Sequence, residues 1–197
     1  MTAILVFLGA YILASIPFGL VITRLMGLGD LRAIGSGNIG ATNVLRTGNK
    51  LAAALTLILD VGKGAIAVLI TSAVTQDALL ISIAAVMSVI GHCYPIWLKF
   101  NGGKGVATGI GVVVALNLWA GLLMIGVWLV IAAVTRISSA AAIIAYGLSP
   151  LLIYYFANDG QKTEFAAGLC VIALIAIWRH RSNIKRLIAG TEPRIGK

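Results

Sequence analysis

Apolar residues fill this chain in long blocks separated by short polar breaks. The blocks lie near residues 3–23, 51–72, 78–98, 139–157 and 164–179, with a longer apolar stretch from about 105 to 134. Each of the first five is close to the ~20 residues that a helix needs to cross a bilayer. The longer stretch, as one straight helix, would extend roughly 45 Å against a hydrocarbon core of about 30 Å. It is therefore one tilted helix or two short ones broken near Asn117. The pattern predicts an all-α integral membrane fold, with residues 1–197 forming a single membrane-embedded domain. No second domain, low-complexity segment or fixed-period repeat interrupts it.

Composition agrees. Only 11% of residues are charged and 60% are hydrophobic, whereas about a quarter of an ordinary soluble domain is charged. The start, Met1-Thr2-Ala3, lacks the positive segment of a secretory signal, so the first block is expected to remain as a membrane helix. Cys93 and Cys170 fall inside or at the ends of apolar runs and are expected to be small buried thiols, not a disulfide.

Charge decides between the two readings of the long stretch. Fifteen Lys and Arg stand against six Asp and Glu, a net charge of +9. If residues 105–134 cross once, the cations outside Lys63 divide evenly between the two sides. If they cross twice, Arg24, Arg32, Arg46, Lys50, Lys99, Lys104, Arg136 and the six cations of the tail share one side and leave only Lys162 opposite. The positive-inside rule selects the second arrangement. The expectation is thus about seven transmembrane helices, with the N-terminus outside and the C-terminus cytoplasmic. The Gly35–Arg46 loop, the 99–104 loop, the turn at Arg136 and the tail from Arg179 then lie on the cytoplasmic face. The basic excess fits membrane lipids and anionic substrates, and no nucleic-acid motif is present.

Two of these loops carry chemistry. In the first, Gly35, Gly37 and Gly40 match G-x-G-x-x-G, but a dinucleotide site needs a βαβ unit that membrane helices do not supply. What survives is a glycine-rich turn whose N–H groups can surround an anion. A plain helix-breaking loop would explain the glycines but not Ser36, Asn38, Thr42, Asn43 and Arg46 beside them. In the second, Gly102-Gly103-Lys104-Gly105 fails the Walker A pattern, since position 98 is leucine and position 105 is glycine. Lys104 just before a helix start is nevertheless well placed for a phosphate. Asp60 and Lys63 share a helix face inside the second block and are expected to pair as structural support for the site. The basic tail is either a lipid-attracted segment or a site element contributing His180 and Asn183, which share a face at i and i+3. The two histidines lie in separate segments and the cysteines lack ligand spacing, so no metal is expected.

Longer motifs add a resemblance. Ser36-Gly37-Asn38-Ile39-Gly40-Ala41-Thr42-Asn43 followed by Arg46 resembles the first signature of the bacterial acyl-phosphate:glycerol-3-phosphate acyltransferases, the PlsY family. Gly91 to Thr108 is similar to the second, and His180, Asn183, Ile184, Arg186, Gly190 and Glu192 to the third. Asp60-Val61-Gly62-Lys63-Gly64 also fits. The resemblance implies an enzyme of the bacterial plasma (inner) membrane that makes the first acylation of phospholipid synthesis. It moves a fatty acyl group from acyl phosphate to the 1-hydroxyl of glycerol 3-phosphate, giving lysophosphatidate and phosphate. No cofactor is implied, and a monomer is expected.

The residues make chemical sense of that reaction. Arg46 and Lys104, with Ser36, Gly37, Asn38, Thr42, Asn43, Gly102, Gly103 and Asn183, form the expected phosphate-binding set. Acyl phosphate already carries a good leaving group, so positioning and charge stabilisation suffice for direct attack without an acyl-enzyme. His92 or His180 is the candidate catalytic base, or a substrate phosphate oxygen takes the proton. A membrane carrier for an organic phosphate is the alternative, although carriers place polar groups near the bilayer midplane with access from both sides.

Overall fold

The computed structural model describes residues 2–196, and among these it is all helical, without strands. The helices are α1 (Thr2–Ala14), α2 (Phe18–Leu25), a short α3 (Ala41–Val44), α4 (Lys50–Val74), α5 (Ala78–Cys93), α6 (Val106–Leu116), α7 (Leu118–Thr135), α8 (Ser138–Phe156), α9 (Lys162–Arg179) and α10 (Arg181–Ile188). Five stretches have the length and apolarity to cross a bilayer, namely Ala3–Leu25, Lys50–Val74, Ala78–Leu98, Leu118–Thr135 and Ser138–Phe156. Helices α9 and α10, bent by 60° at His180, supply a sixth if taken as one span.

The long apolar stretch is two helices. Asn117 makes the break, its Oδ1 accepting from the Ala120 N–H at 3.1 Å and its Nδ2 donating to the Phe156 carbonyl at 3.0 Å. A helix start is thereby capped and tied to the end of α8. The chain reverses there, with Gly121 of α7 packed directly on Val114 of α6. Helix α6 is only about 16 Å long, roughly half the hydrocarbon thickness. Pro17 stands at the break between α1 and α2.

The packing is that of a protein in lipid. Leu57, Ile58, Leu69, Ile70, Leu129, Val130 and Leu174 face outward, while the interior holds alanines, Ser88, Thr56, Thr71 and Thr108. Small residues let helix backbones approach where no hydrophobic force drives them together. Gly64 of α4 lies on the Thr108 carbonyl of α6, and Gly111 of α6 lies on the Val61 carbonyl, so a side chain at either would part the two helices. The main core gathers Val89, Val112, Val113, Met124, Tyr146, Leu169 and Ile172 from α5 to α9. Cys93 is buried as expected. Cys170 is a correction, since it sits on the exposed side of α9, and both thiols are free.

Candidate active site

The first polar loop is organised around a buried amide. Asn43, in α3, donates from Nδ2 to the carbonyls of Leu31 and Ile34, each at 3.0 Å. Its Oδ1 accepts the Ser36 N–H at 3.1 Å and an Arg46 Nη1–H at 3.2 Å. One side chain thus ties the glycine turn to the short helical turn carrying Arg46. Its polar capacity is committed inside the loop, so what it does there is shape the turn. Thr42 is exposed and makes no side-chain hydrogen bond among the described residues.

The second loop folds back over the end of α5. The N–H groups of Gly102 and Gly103 donate to the carbonyls of Cys93 and His92, both at 3.1 Å, satisfying acceptors that a helix end leaves open. The turn before them carries two non-glycine residues in the left-handed region, Lys99 at φ 51° and Phe100 at φ 63°. Such residues store strain of order 1–3 kcal/mol each and persist where surrounding bonds fix them. Here those are Lys99 N–H to Ile96 and Phe100 N–H to Pro95. The His92 ring lies directly beneath Gly103 and leaves no space for a Cβ. His92 Nδ1 is 3.7 Å from Asp60 Oδ1, and Asp60 pairs with Lys63 at 2.8 Å. Lys63 Nζ also donates to the Ile16 carbonyl at 2.8 Å, at the kink between α1 and α2. All three side chains are buried. They form a polar column that joins α1, α4 and α5 under the loop.

The third element comes from the end of α9. Arg179 donates from Nε to the Gly103 carbonyl at 2.9 Å and from Nη2 to the Gly102 carbonyl at 2.6 Å, with its guanidinium 5.1 Å from the Tyr94 ring. His180 is buried, its Nδ1 2.7 Å from the Ala176 carbonyl, a contact that requires the proton on Nδ1. Asn183 turns away toward Glu192, donating from Nδ2 to Oε1 at 2.6 Å. The same carboxylate receives Ser139 Oγ–H at 2.7 Å and Arg186 Nε–H at 2.7 Å. Burial raises the Glu192 carboxyl, but the hydrogen bonds from Ser139, Asn183 and Arg186 prevail and hold it below its ordinary range.

Where the three elements meet there is a polar cleft of about 250 Å³, lined by Ser36, Gly37, Asn38, Gly102, Lys104, Arg179, Arg181, Ser182 and Arg186. Four cations and no carboxylate line it, which suits a phosphate. Of the residues expected from sequence, Ser36, Gly37, Asn38, Gly102 and Lys104 face this space. Gly103 lies in the same loop, and Arg46 is close enough to weigh on the Lys104 charge. Asn43, His92, His180 and Asn183 are buried outside the lining. Arg179, Arg181, Ser182 and Arg186 also line the cleft, although the sequence pattern singled out only His180 and Asn183 of this basic segment as site candidates. A second, apolar groove of about 700 Å³ runs along α1, lined by Leu5, Leu8, Gly9, Ile12, Leu13, Ile16, Pro17 and Trp97. Trp97, in the turn leading to the glycine loop, is held by its Nε1–H to Ser15 Oγ at 2.8 Å.

Burial, opposed by Glu192 and reinforced by Arg186, Arg179 and Arg46, pushes the Lys104 ammonium down to about 8. The cation exists below that pH, so affinity for a phosphate in the cleft should fall as pH rises through about 8. Lys104→Arg carries a charge that persists beyond about pH 12 and should remove this descending limb. A limb left in place in the variant would assign it to another group.

Fold and cleft together define a polytopic membrane protein with a cationic cleft among its loops. Residues 4–190 match the family model described as glycerol-3-phosphate acyltransferase. A glycerol-3-phosphate acyltransferase of Paramagnetospirillum magneticum is 55% identical over 190 residues, covering 96% of this chain and 92% of that protein. One from Cereibacter sphaeroides is 56% identical over 188 residues, covering 95% and 87%. The crystal structure of PlsY (YgiH), an integral membrane glycerol 3-phosphate acyltransferase, in its glycerol 3-phosphate form, superposes with a TM-score of 0.93 at 40% identity. It covers 100% of this chain and 96% of that one. The lysophosphatidic acid form gives 0.91 at 39% identity with the same coverage. The chain belongs to the glycerol-3-phosphate acyltransferase family.

Proposed function

We propose that this chain transfers a fatty acyl group from acyl phosphate to the 1-hydroxyl of glycerol 3-phosphate, releasing lysophosphatidate and inorganic phosphate. The observation that carries the reading is the convergence of two glycine loops and the Arg179–Arg186 segment on one cationic cleft. Both substrates bear a phosphate, and the relatives' names and the two forms of the similar structure point to the acceptor. The apolar groove along α1, ending at Ile16, Pro17 and Trp97, suits the acyl chain.

In this mechanism Lys104, Ser36 and Arg46 hold phosphate oxygens, and the glycine loop's backbone amides complete the cradle. The glycerol oxygen attacks the acyl carbonyl carbon, a tetrahedral intermediate forms, and the bond from carbon to the phosphate oxygen breaks. Phosphate leaves with the electron pair. No imidazole or carboxylate lines the cleft among the described residues, which favours a phosphate oxygen as the acceptor of the hydroxyl proton. His92 and His180 then act by fixing the loop and the end of α9.

The same reading places the protein as a monomer in the bacterial inner membrane with seven crossings, α6 and α7 being the two that meet at Asn117. The cleft opens to the cytoplasm, where glycerol 3-phosphate is supplied. Clustering of the basic loops at the cleft supports this orientation, as does the pairing of the opposite-face Lys162 with Asp159 at 2.7 Å. Purified protein given palmitoyl phosphate and glycerol 3-phosphate should release phosphate and form lysophosphatidate only when both are present. Palmitoyl-CoA should not replace the donor. Uptake of glycerol 3-phosphate into sealed vesicles without phosphate release would instead support the carrier.

A further inference from the structure

Tyr146, in the middle of α8, is fully buried, and no sequence motif marks it. Its hydroxyl donates to the Gly105 carbonyl at 2.7 Å, across a sequence separation of 41 residues, and its ring packs against Gly109. Gly105 is the residue between Lys104 and α6, and its φ of 83° lies in the left-handed region. Its carbonyl also accepts the Gly109 N–H at 2.7 Å, so both acceptor directions are taken.

A peptide unit is planar and trans, so fixing the Gly105 carbonyl fixes the Val106 N–H in the opposite direction. That N–H points out of the start of α6, two residues after Lys104. Arg179 fixes the Gly102 and Gly103 carbonyls, and the N–H groups of those two glycines are held by α5. The N–H groups of Lys104, Gly105 and Val106 have no protein acceptor among the described residues. The loop is therefore pinned on both sides of Lys104, and only its outward donors are uncommitted.

We infer that Tyr146 is a positioning residue for phosphate binding: its hydroxyl sets the peptide plane at Gly105 and with it the aim of the Lys104 side chain and the first N–H groups of α6. This rests on the assignment of the glycine loop to a substrate phosphate. It adds a determinant of affinity located in the core and contributed by a helix that carries none of the motifs.

Tyr146→Phe removes the hydroxyl and keeps the ring. The KM for glycerol 3-phosphate should rise about tenfold, the scale of one lost hydrogen bond in aligning a charged site, with kcat changed less than about twofold. Ser82→Ala is the structural control. It deletes a comparable interhelical bond, Ser82 Oγ–H to the Glu164 carbonyl at 2.8 Å, between α5 and α9. That variant should lower the thermal midpoint and leave KM as in the wild type. An unchanged KM in Tyr146→Phe, or an equal rise in Ser82→Ala, overturns the inference. If Tyr146→Phe does not fold, Gly105→Ala strains the same peptide and carries the same expectation, with an unchanged KM again overturning it. A wild-type protein without glycerol 3-phosphate-dependent phosphate release would refute the assignment of the loop, and this inference with it.

Discussion

Lys104→Ala is expected to lower kcat/KM for glycerol 3-phosphate by about 10²- to 10³-fold, the loss typical of deleting one preorganised electrostatic group in a water-poor site. The protein should remain folded. Lys104 Nζ makes no hydrogen bond among the described residues, and the loop is held instead by Gly102 N–H, Gly103 N–H and the Arg179 fork. Removing one of several neighbouring cations also relieves repulsion from Arg46, Arg179 and Arg186. Phosphate release and the thermal midpoint, measured on the same preparation in detergent, separate the two effects. Turnover within threefold of wild type would mean that the cleft does not hold the reacting phosphate. A midpoint that collapses with the activity would mean that Lys104 is structural.

The second large effect concerns stability. Asp60→Ala strands the Lys63 ammonium inside a membrane helix without a carboxylate partner among the described residues, beside the Ile16 carbonyl and the face of Phe18, 5.5 Å from Nζ. Breaking a buried pair by removing one partner costs about 3–5 kcal/mol, whereas replacing both by apolar residues is often neutral. Against a total stability of roughly 5–15 kcal/mol, the single substitution should leave little folded protein after extraction. The double variant Asp60→Leu with Lys63→Met should recover most of the lost thermal midpoint. Its activity should stay low if the polar column under Gly103 aligns the loop through His92. A single variant as stable as the double one would show that the pair carries no energetic coupling.

Much of the fold could be read from local pattern because membrane helices are encoded locally. The break at Asn117 followed from span length and charge parity, and the structure supplies its cause in the Asn117 cap and the bond to Phe156. The Asp60–Lys63 pair followed from helix spacing alone, three residues apart on one face. The cleft was legible only where its groups sit in the glycine loops themselves, as with Ser36 and Lys104. Arg179 reaches Gly102 across 77 residues and Tyr146 reaches Gly105 across 41. Spacing along the chain carries no trace of such contacts, because helix packing creates them. Asn43 and Asn183 show the converse. As polar residues inside motifs they read as ligand contacts, yet buried amides need partners, and the nearest ones belong to the loop and to Glu192.

The most direct test is a crystal structure of this protein soaked with glycerol 3-phosphate. The phosphate is expected in the cleft, with oxygens about 3 Å from Lys104 Nζ and Ser36 Oγ and the glycerol 1-hydroxyl directed toward the apolar side. A phosphate bound elsewhere on the molecule, with the cleft occupied by water alone, would contradict it.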